Sequence, residues 1–229
     1  MKNSLKYAFP LTIPIMAGYI FLGASFGLLM TSQGFSIAYP ILMSVVIYGG
    51  SMQFAALGLF SAAFNPVSAF MLTVMVHARH IFYGITMLKP FNQLKQTKLY
   101  TMFALTDETF SLLVSLNPPP EYDKSWVYFH ISWLNQVYWI IGTTIGALLG
   151  SNITFNTEGI EFVLTALFIV IFIDQWLSTN NHRPALVGIG GSLACLMIFG
   201  PSQFMIPAMI VIIVLFSLIY SRKVQVKND

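Results

Sequence analysis

The stretch that decides the fold is Val67–Leu88, which reads VSAFMLTVMVHARHIFYGITML. It is apolar and long enough to cross a lipid bilayer as one helix, because about 20 apolar residues span the hydrocarbon core. Its middle nevertheless carries His77, Arg79 and His80, and Tyr83 follows within one helical turn. A fixed charge at the centre of a membrane helix costs at least about 2.5–3.5 kcal/mol. We therefore expect Arg79 to face a partner, a cavity or a substrate.

The composition of the whole chain indicates a membrane protein. Of its 229 residues, 56% are hydrophobic and 8% are charged, and the mean hydropathy is +0.74. Soluble domains carry about 25% charged residues. We predict an all-α, polytopic integral membrane helical bundle, with residues 1–229 forming a single transmembrane domain. The net charge of +3 gives no indication of nucleic-acid binding, and the single Cys195 leaves no partner for an internal disulfide.

Hydropathy divides the chain into about eight apolar segments near the length of a membrane span. They are approximately residues 10–30, 39–60, 67–88, 99–116, 126–149, 162–177, 184–199 and 204–220. Basic residues cluster at the N-terminus, between the third and fourth segments, and at the C-terminus. The positive-inside rule would place all three clusters in the cytoplasm, yet three segments separate the first two clusters and five separate the last two, both odd numbers. Either one segment in each half is re-entrant, or one terminus breaks the rule.

Several segments contain residues that weaken helices. Pro14 lies in the first segment, Gly49-Gly50 lies in the second, and three glycines fall within 188–191 of the seventh. Backbone groups freed by Gly or Pro are satisfied by neighbouring helices or by water in a cavity. Broken helices near the midplane are where secondary transporters bind substrate. The second and seventh segments are therefore the candidates for a break or a re-entrant hairpin, with close packing at Gly49-Gly50 as the alternative.

Glycines at four-residue spacing predict close contact between two helices. They form the motifs Gly23-x-x-x-Gly27 and Gly142-x-x-x-Gly146-x-x-x-Gly150. Three pairs of similar motifs occur in the same order and suggest a weak internal repeat with halves 8–90 and 126–200. They are Gly23…Gly27 with Gly142…Gly146, Gln53-Phe54 with Gln175-Trp176, and Asn65-Pro66 with Arg183-Pro184.

Two carboxylates can reach the depth of the arginine. Arg79 precedes Lys89 by ten residues, and Asp107 follows Lys98 by nine. At 1.5 Å per residue both lie about 14–15 Å from the loop between their helices, or roughly half of the hydrocarbon thickness of about 30 Å. Arg79 can thus pair with Asp107 or with Glu108, but side chains one residue apart do not share a helix face. The pair either fixes helix register only or takes part in transport, and the second carboxylate is free to carry a proton or meet an ammonium group.

Other polar residues have more than one interpretation. His77 and His80 share a helix face and either make ordinary hydrogen bonds or carry protons; we expect no metal, because a third ligand at suitable spacing is missing. Asp174 and Gln175 are expected near the membrane interface. Most of the large aromatic residues are expected to anchor the protein at the membrane interface. Three polar residues of the fifth segment are expected to form hydrogen bonds between helices. The aromatic residues are Trp126, Trp133, Trp139, Trp176, Tyr122, Tyr128 and Tyr138, and the polar ones are His130, Asn135 and Gln136.

The sequence contains no signature of a soluble enzyme. It has no phosphate-binding glycine loop with a lysine, no nucleophile elbow and no zinc-protease motif. We expect no catalytic residue and no cofactor. Any transport by the chain alone would run on a gradient, because no ATP-binding motif is present.

Four motifs resemble the AzlC-type branched-chain amino acid permeases of bacteria and archaea. They are PIMAGYIFLGASFGLL, VVIYGGSMQFAALGL, HARHIFYG and LTDETFSLL, and they cover about Pro10–Leu113. One position departs from the family pattern, which has Asn where this chain has His77. This departure puts in doubt any role that analogy would give to position 77.

The resemblance implies properties that composition does not. The family exports leucine, isoleucine, valine and toxic analogues, and the chain is similar to the large subunit of a two-component exporter whose partner is a small AzlD-type membrane protein. The expected location is the cytoplasmic (inner) membrane, crossed several times.

Our leading hypothesis is a gradient-driven exporter of branched-chain or similar amino acids. The alternatives are a membrane scaffold or assembly subunit and a passive channel for small solutes. A zwitterion needs a partner for its carboxylate and one for its ammonium group. The candidate substrate-binding or coupling residues are Tyr48, Gly49, Gly50, Gln53, His77, Arg79, His80, Tyr83, Asp107 and Glu108.

Overall fold

The structure is a computed structural model that describes residues 3–61, 65–152 and 179–200, with short pieces of 162–177 and 204–216. It divides into two units, Met1–Leu164 and Thr165–Asp229. All regular secondary structure in the described residues is α-helical, which agrees with the predicted all-α class.

Eight helices have bounds in the described part of the chain. They are α1 Ser4–Ser32, α2 Ala38–Val46, α3 Gly50–Ser61, α4 Pro66–Asn92, α5 Lys98–Phe103, α6 Asp107–Ser115, α7 Lys124–Asn152 and α8 Arg183–Phe199. Helices α1, α4 and α7 have 29, 27 and 29 residues, or about 40 Å each at 1.5 Å per residue. By length and composition together, α1 is the one helix of these that qualifies as a candidate membrane span.

Helices α1 and α7 make the most extensive contact between elements, and their glycines permit it. A Cβ atom at Gly23 would lie 2.8 Å from the carbonyl oxygen of Trp139, and one at Gly142 would lie 2.5 Å from that of Ile20. Real Cβ atoms do not approach backbone atoms so closely. Gly27 and Gly146 meet the backbone of the facing helix in the same way, and a Cβ atom at Gly150 would meet the Thr31 side chain. The close contact predicted from the two glycine motifs is confirmed.

The second predicted segment is broken, as Gly49-Gly50 indicated. Helix α2 ends at Val46 and α3 begins at Gly50. The prediction was wrong for the seventh segment, because α8 continues through 188–191. Glycine lowers helix propensity by about 1 kcal/mol but keeps its N–H group, so the backbone bonds of α8 still form. Helix α1 also continues through Pro14.

The fourth segment breaks where no break was predicted. Helix α5 ends at Phe103 and α6 begins at Asp107. Thr106 has extended backbone, with φ −86° and ψ 175°, and its hydroxyl accepts a hydrogen bond from the N–H group of Thr109 at 3.3 Å. A threonine that caps a new helix competes with continuation of the old one. The estimate of depth from a straight helix after Lys98 therefore does not hold for α6.

Helix α7 holds both breaks through two neighbouring side chains. Asn135 donates to Thr109 Oγ1 at 3.0 Å, and Gln136 donates to the carbonyl oxygen of Val45 at 3.0 Å, in the last turn of α2. Tyr100 of α5 donates to the Gln136 amide oxygen at 2.6 Å. The predicted bonding between helices is confirmed for Asn135 and Gln136. For the third candidate, His130, it stays a prediction: the Nδ1 atom has no hydrogen-bond partner among the described residues, and the ring packs against Trp126 and Phe129 of the same helix.

The expectation of interface anchors was wrong for three aromatic residues of α7. Tyr128, Tyr138 and Trp139 are 1%, 5% and 3% exposed and belong to the core. Trp126 and Trp133 are 45% and 41% exposed, so they remain compatible with an interface position. The three buried side chains lie on the face of α7 that packs inside the first unit, where their polar tips find hydrogen-bond partners or core contacts.

The second unit is described in part. In it, Gly191 of α8 packs against Ile212, and the ring of Trp176 stacks on His182 with centroids 4.0 Å apart. Asp174 and Gln175 lie outside the described residues, as does half of the sixth segment. The internal repeat with halves 8–90 and 126–200 stays a prediction.

Candidate functional site

Arg79 of α4 lies between the first residues of two short helices. Its Nη1 atom pairs with Asp107 Oδ2 at 2.8 Å, and its Nη2 atom donates to Ser51 Oγ at 2.7 Å. Asp107 is the first residue of α6, and Ser51 is the second residue of α3. The ion pair predicted from depth is thus present, and it joins α4 to both breaks. The two side chains are 28% and 20% exposed, so the pair is mostly enclosed but reachable.

Asp107 uses both of its carboxylate oxygens. Tyr83, one turn after Arg79 on α4, donates its hydroxyl to Asp107 Oδ1 at 2.8 Å. The Tyr83 ring stacks on Phe110, with centroids 4.2 Å apart and planes at 10°. This stacking fixes the phenol beside the carboxylate. Arg79, Tyr83 and Asp107 therefore form one connected group.

Glu108 points in a different direction from its neighbour. Its Oε2 atom accepts a hydrogen bond from the Tyr19 hydroxyl of α1 at 2.6 Å, and that hydroxyl lies 2.6 Å from Thr106 Oγ1. The sequence left open which carboxylate pairs with Arg79. The structure selects Asp107 and directs Glu108 towards α1, because adjacent helical side chains diverge by about 100°. Both acids lie in the first turn of α6, where the helix dipole favours negative charge.

The break between α2 and α3 depends on Tyr48 as well as on the glycines. Tyr48 has φ +47° and is the one non-glycine residue with positive φ in the described chain. Such a conformation is rare and costs free energy, and it clusters at functional sites. Gly49 leaves room for the His77 ring, whose Cε1 atom would lie 3.4 Å from a Cβ atom there. A Cβ atom on Gly50 would lie 3.7 Å from the Trp139 ring, so a small side chain would find ordinary contact at this position.

The α3 helix begins without an acidic residue in its first turn. The first N–H groups of a helix have no acceptor within the helix and carry partial positive charge. At α3 these groups belong to residues next to the Arg79 guanidinium, because Arg79 donates to Ser51. The α3 terminus and Arg79 together are therefore electropositive, whereas the α6 terminus carries two carboxylates.

Gln53 lies in the core and does not border the charged group. It is fully buried, accepts a hydrogen bond from Trp139 Nε1 at 3.0 Å, and donates to Ser44 Oγ at 3.3 Å. Both ends of its amide are thereby used within the protein. Its contacts hold α3 against α7 and α2, which positions Ser51 at the Arg79 end of the helix.

The two histidines contact each other on one face of α4. Their Nδ1 atoms are 3.4 Å apart, and His80 also packs against the Tyr83 ring with centroids 5.4 Å apart. No cluster of three metal-ligating side chains occurs in the part of the chain that the structure describes. The arrangement links His77, next to Gly49, with Tyr83 and thus with Asp107.

Sequence reasoning missed three contributors to this site. Ser51 and Tyr19 contact Arg79 and Glu108 directly, and Thr106 contacts the Tyr19 hydroxyl. The signal for Thr106 was its position before two acidic residues, which is typical of a helix N-terminus. Tyr19 and Ser51 carry no such signal, because single hydroxyl groups are common in apolar helices.

Comparison with known proteins accounts for the four motifs. The family model described as AzlC protein matches residues 14–153. The Branched-chain amino acid transport protein AzlC of Bacillus subtilis (strain 168) is 50% identical over 92% of this chain and 83% of its own length. The chain belongs to the AzlC family. The predicted family is confirmed by both findings.

More distant AzlC relatives include an uncharacterized membrane protein of Haemophilus influenzae, 40% identical over 92% of this chain and 86% of its own length. The Inner membrane protein YgaZ of Escherichia coli (strain K12) is 26% identical over 82% of this chain and 79% of its own length. No solved structure matches the chain. The residues matched by the AzlC family include all the side chains described at this site, from Tyr19 to Glu108.

Proposed function

We propose that this chain is the large subunit of a two-component exporter that moves branched-chain or similar amino acids across the cytoplasmic membrane, driven by a gradient. Membership of the AzlC family and the branched-chain amino acid transport for which the Bacillus relative is named support the substrate class. A multi-pass arrangement in the membrane belongs to the proposal, and the long helices α1, α4 and α7 support it.

One observation carries the proposal: two helix breaks bring charged groups of both signs to one place. The four short helices α2, α3, α5 and α6 have 9, 12, 6 and 9 residues. None of them reaches the roughly 30 Å of a hydrocarbon core by itself. Half-helices whose ends meet at a charged group are the arrangement that secondary transporters use for substrate and coupling ions.

The charges match an amino acid. Its carboxylate would meet Arg79 and the N–H groups at the start of α3, which together form an anion site. Its ammonium group would meet Asp107 or Glu108, and whichever carboxylate is not so used would carry the coupled proton. The branched side chain would lie among the apolar residues of α1 and of the second segment. Tyr48, Gly49 and His77 would shape the break, and Tyr83 with His80 would orient Asp107.

A small AzlD-type subunit is the proposed partner. Large apolar side chains are exposed along α4, among them Phe70 at 65%, Ile81 at 64% and Ile85 at 61%. Lipid or a second membrane subunit would cover such a surface. The partner would also allow short half-helices to remain in the membrane, because irregular backbone is tolerated there where protein surrounds it.

The test is counterflow of radiolabelled leucine in proteoliposomes. We expect exchange when the chain is reconstituted with the small membrane protein encoded beside it, and little or none with either subunit alone. Unlabelled isoleucine and valine should compete, and glutamate should not. Absence of exchange in every combination, with no amino acid acting as a competitor, would contradict the proposal and favour the scaffold alternative. Equal uptake of unrelated small solutes would favour the channel.

A further inference from the structure

Glu108 differs from Asp107 because, within the described residues, no cationic side chain contacts it directly, although Arg79 attracts its charge from a distance. Asp107 engages Arg79 and Tyr83 through separate oxygens. In the residues that the structure describes, Glu108 accepts a hydrogen bond from Tyr19, and no Lys, Arg or His side chain pairs with it. A carboxylate inside a membrane bundle requires a cation or a proton to offset its charge. The pocket around Glu108 is therefore incomplete as the chain presents it.

A second residue beside Glu108 also lacks a partner. Tyr48 is 4% exposed, and its hydroxyl makes no hydrogen bond within the described residues. This hydroxyl interacts electrostatically with Glu108, and it lies near the hydroxyl groups of Tyr19 and Thr106 without reaching hydrogen-bond geometry with either. Buried polar groups in proteins are normally hydrogen-bonded, so an unpartnered phenol beside an unpaired carboxylate indicates a place for a ligand.

The oxygens around this place come from separate elements. Tyr19 belongs to α1, Tyr48 to the break between α2 and α3, and Thr106 and Glu108 to the start of α6. Trp139 of α7 packs edge-on against the Tyr19 ring, with centroids 5.5 Å apart. The hydrogen-bond acceptors are thus one carboxylate and three hydroxyl oxygens, and aromatic rings lie beside them. A primary ammonium group has three N–H donors and is attracted to aromatic faces, so it suits this set.

We propose that Glu108, Tyr19, Tyr48 and Thr106 bind the primary ammonium group of the substrate, while Arg79 binds the carboxylate. This assignment rests on the proposed function and selects Glu108 where the charges alone allowed either acid. Asp107 is then a positioning residue that holds the guanidinium. The same site would bind an amino acid more tightly than its deaminated analogue, because a keto or methylene group in place of the amine would leave Glu108 and the hydroxyl groups unpaired.

The experiment uses two halves of leucine as probes. 3-Methylbutylamine has the branched chain and the ammonium group but no carboxylate. 4-Methylpentanoate has the branched chain and the carboxylate but no ammonium group. Each is titrated against the purified full chain in detergent, and the shift in Tm gives its Kd. For Glu108→Gln we expect the Kd of the amine to rise about 10–100-fold, as for loss of a hydrogen bond to a charged group. For Tyr48→Phe we expect a rise of about 2–10-fold. The Kd of 4-methylpentanoate should not change in either variant.

Glu121→Gln is the matched control, because Glu121 is an exposed carboxylate outside the site. It should bind both probes as the wild type does. An unchanged amine Kd in Glu108→Gln, or no amine binding by the wild type, overturns the inference. A Tm shift with NaCl that requires Glu108, without one from the amine, also overturns it and indicates a sodium site. If Glu108→Gln does not fold, an unchanged amine Kd in folded Tyr48→Phe has the same consequence.

The outcomes distinguish this inference from the proposed function. Glu108-dependent amine binding in a protein that shows no amino acid counterflow would leave the ammonium site standing and remove the exporter. Leucine counterflow that 3-methylbutylamine inhibits equally in the wild type and in Glu108→Gln would remove the ammonium site and leave the exporter.

Discussion

Replacing Asp107 by Asn tests whether the ion pair works in transport or only fixes the helices. Asparagine has nearly the same size and can still accept a hydrogen bond from Tyr83. It no longer balances the guanidinium of Arg79, which lies 2.8 Å from the carboxylate in the native protein. The substitution therefore removes one charge and little else.

The size of the effect follows from how far the pair is enclosed. Breaking a buried ion pair by removing one partner costs about 3–5 kcal/mol, because the remaining charge stays unpaired. Here the side chains are 28% and 20% exposed, and Arg79 keeps its hydrogen bond to Ser51. We therefore expect Asp107→Asn to lower the free energy of unfolding by about 2–3 kcal/mol, below the fully buried range.

The assay combines stability with leucine counterflow in three variants. These are Asp107→Asn, Arg79→Gln and the double variant Arg79→Gln/Asp107→Asn. Removing both charges leaves no unpaired ion, so the double variant should regain most of the lost stability. Counterflow should fall at least about 100-fold in all three variants, since the carboxylate of the substrate loses its partner or its geometry.

Two results would refute this reasoning. Full counterflow in folded Asp107→Asn would remove the acid from the mechanism. Recovery of both stability and counterflow in the double variant would show that the pair only fixes helix register, which was the alternative left open by the sequence. The matched control is Asp123→Asn, because Asp123 caps the start of α7 away from the charged group.

Three further substitutions test the packing of α1 against α7 and the contacts of α3 after the break between α2 and α3. Gly146→Ala should destabilise the protein by about 1–3 kcal/mol, because its new Cβ atom would meet the backbone of α1. Gly18→Ala is the control and should not destabilise the protein, because open space surrounds Gly18. Thermal unfolding in detergent measures both variants. Trp139→Phe removes the hydrogen bond to buried Gln53 and should cost about 1–3 kcal/mol by the same measurement, and an unchanged Tm would contradict the assigned core role. Ser51→Ala removes the hydroxyl that accepts from the guanidinium and should raise KM for leucine several-fold with little change in Tm; an unchanged KM would place this serine outside the anion site.

Features that depend on local pattern were predictable from the sequence. The glycine spacing predicted the contact of α1 with α7, because small residues at four-residue intervals form a strip on one helix face. The sequence predicted that Arg79 would pair with Asp107 or Glu108, and the pair with Asp107 is present, although the break between α5 and α6 invalidates the depth estimate for the carboxylates. That success came from the short connection between α4 and α5, which forces the two segments to lie side by side.

Features that depend on competition between local and tertiary interactions were not predictable. Thr106 can continue a helix or cap a new one, and capping prevails here together with hydrogen bonds from α7 to both breaks. The glycines of α8 gave the opposite error, because a glycine-rich segment that keeps all its N–H groups still forms a helix. Sequence alone also could not show that Gln53 and Trp139 satisfy each other inside the core.

The distribution of charge at the two breaks argues for a zwitterion over a simple ion. A binding protein for anions would need only the electropositive start of α3 with Arg79, and two carboxylates next to it in space would weaken it. A binding protein for cations would not place a guanidinium beside its acids. The chain keeps both, yet it neutralises Arg79 with Asp107 and leaves Glu108 without a cation in the described residues. The carboxylate of a zwitterionic substrate can exchange with Asp107 at Arg79, and its ammonium group can supply the cation that Glu108 lacks. Binding of such a substrate would leave the net charge of the site unchanged.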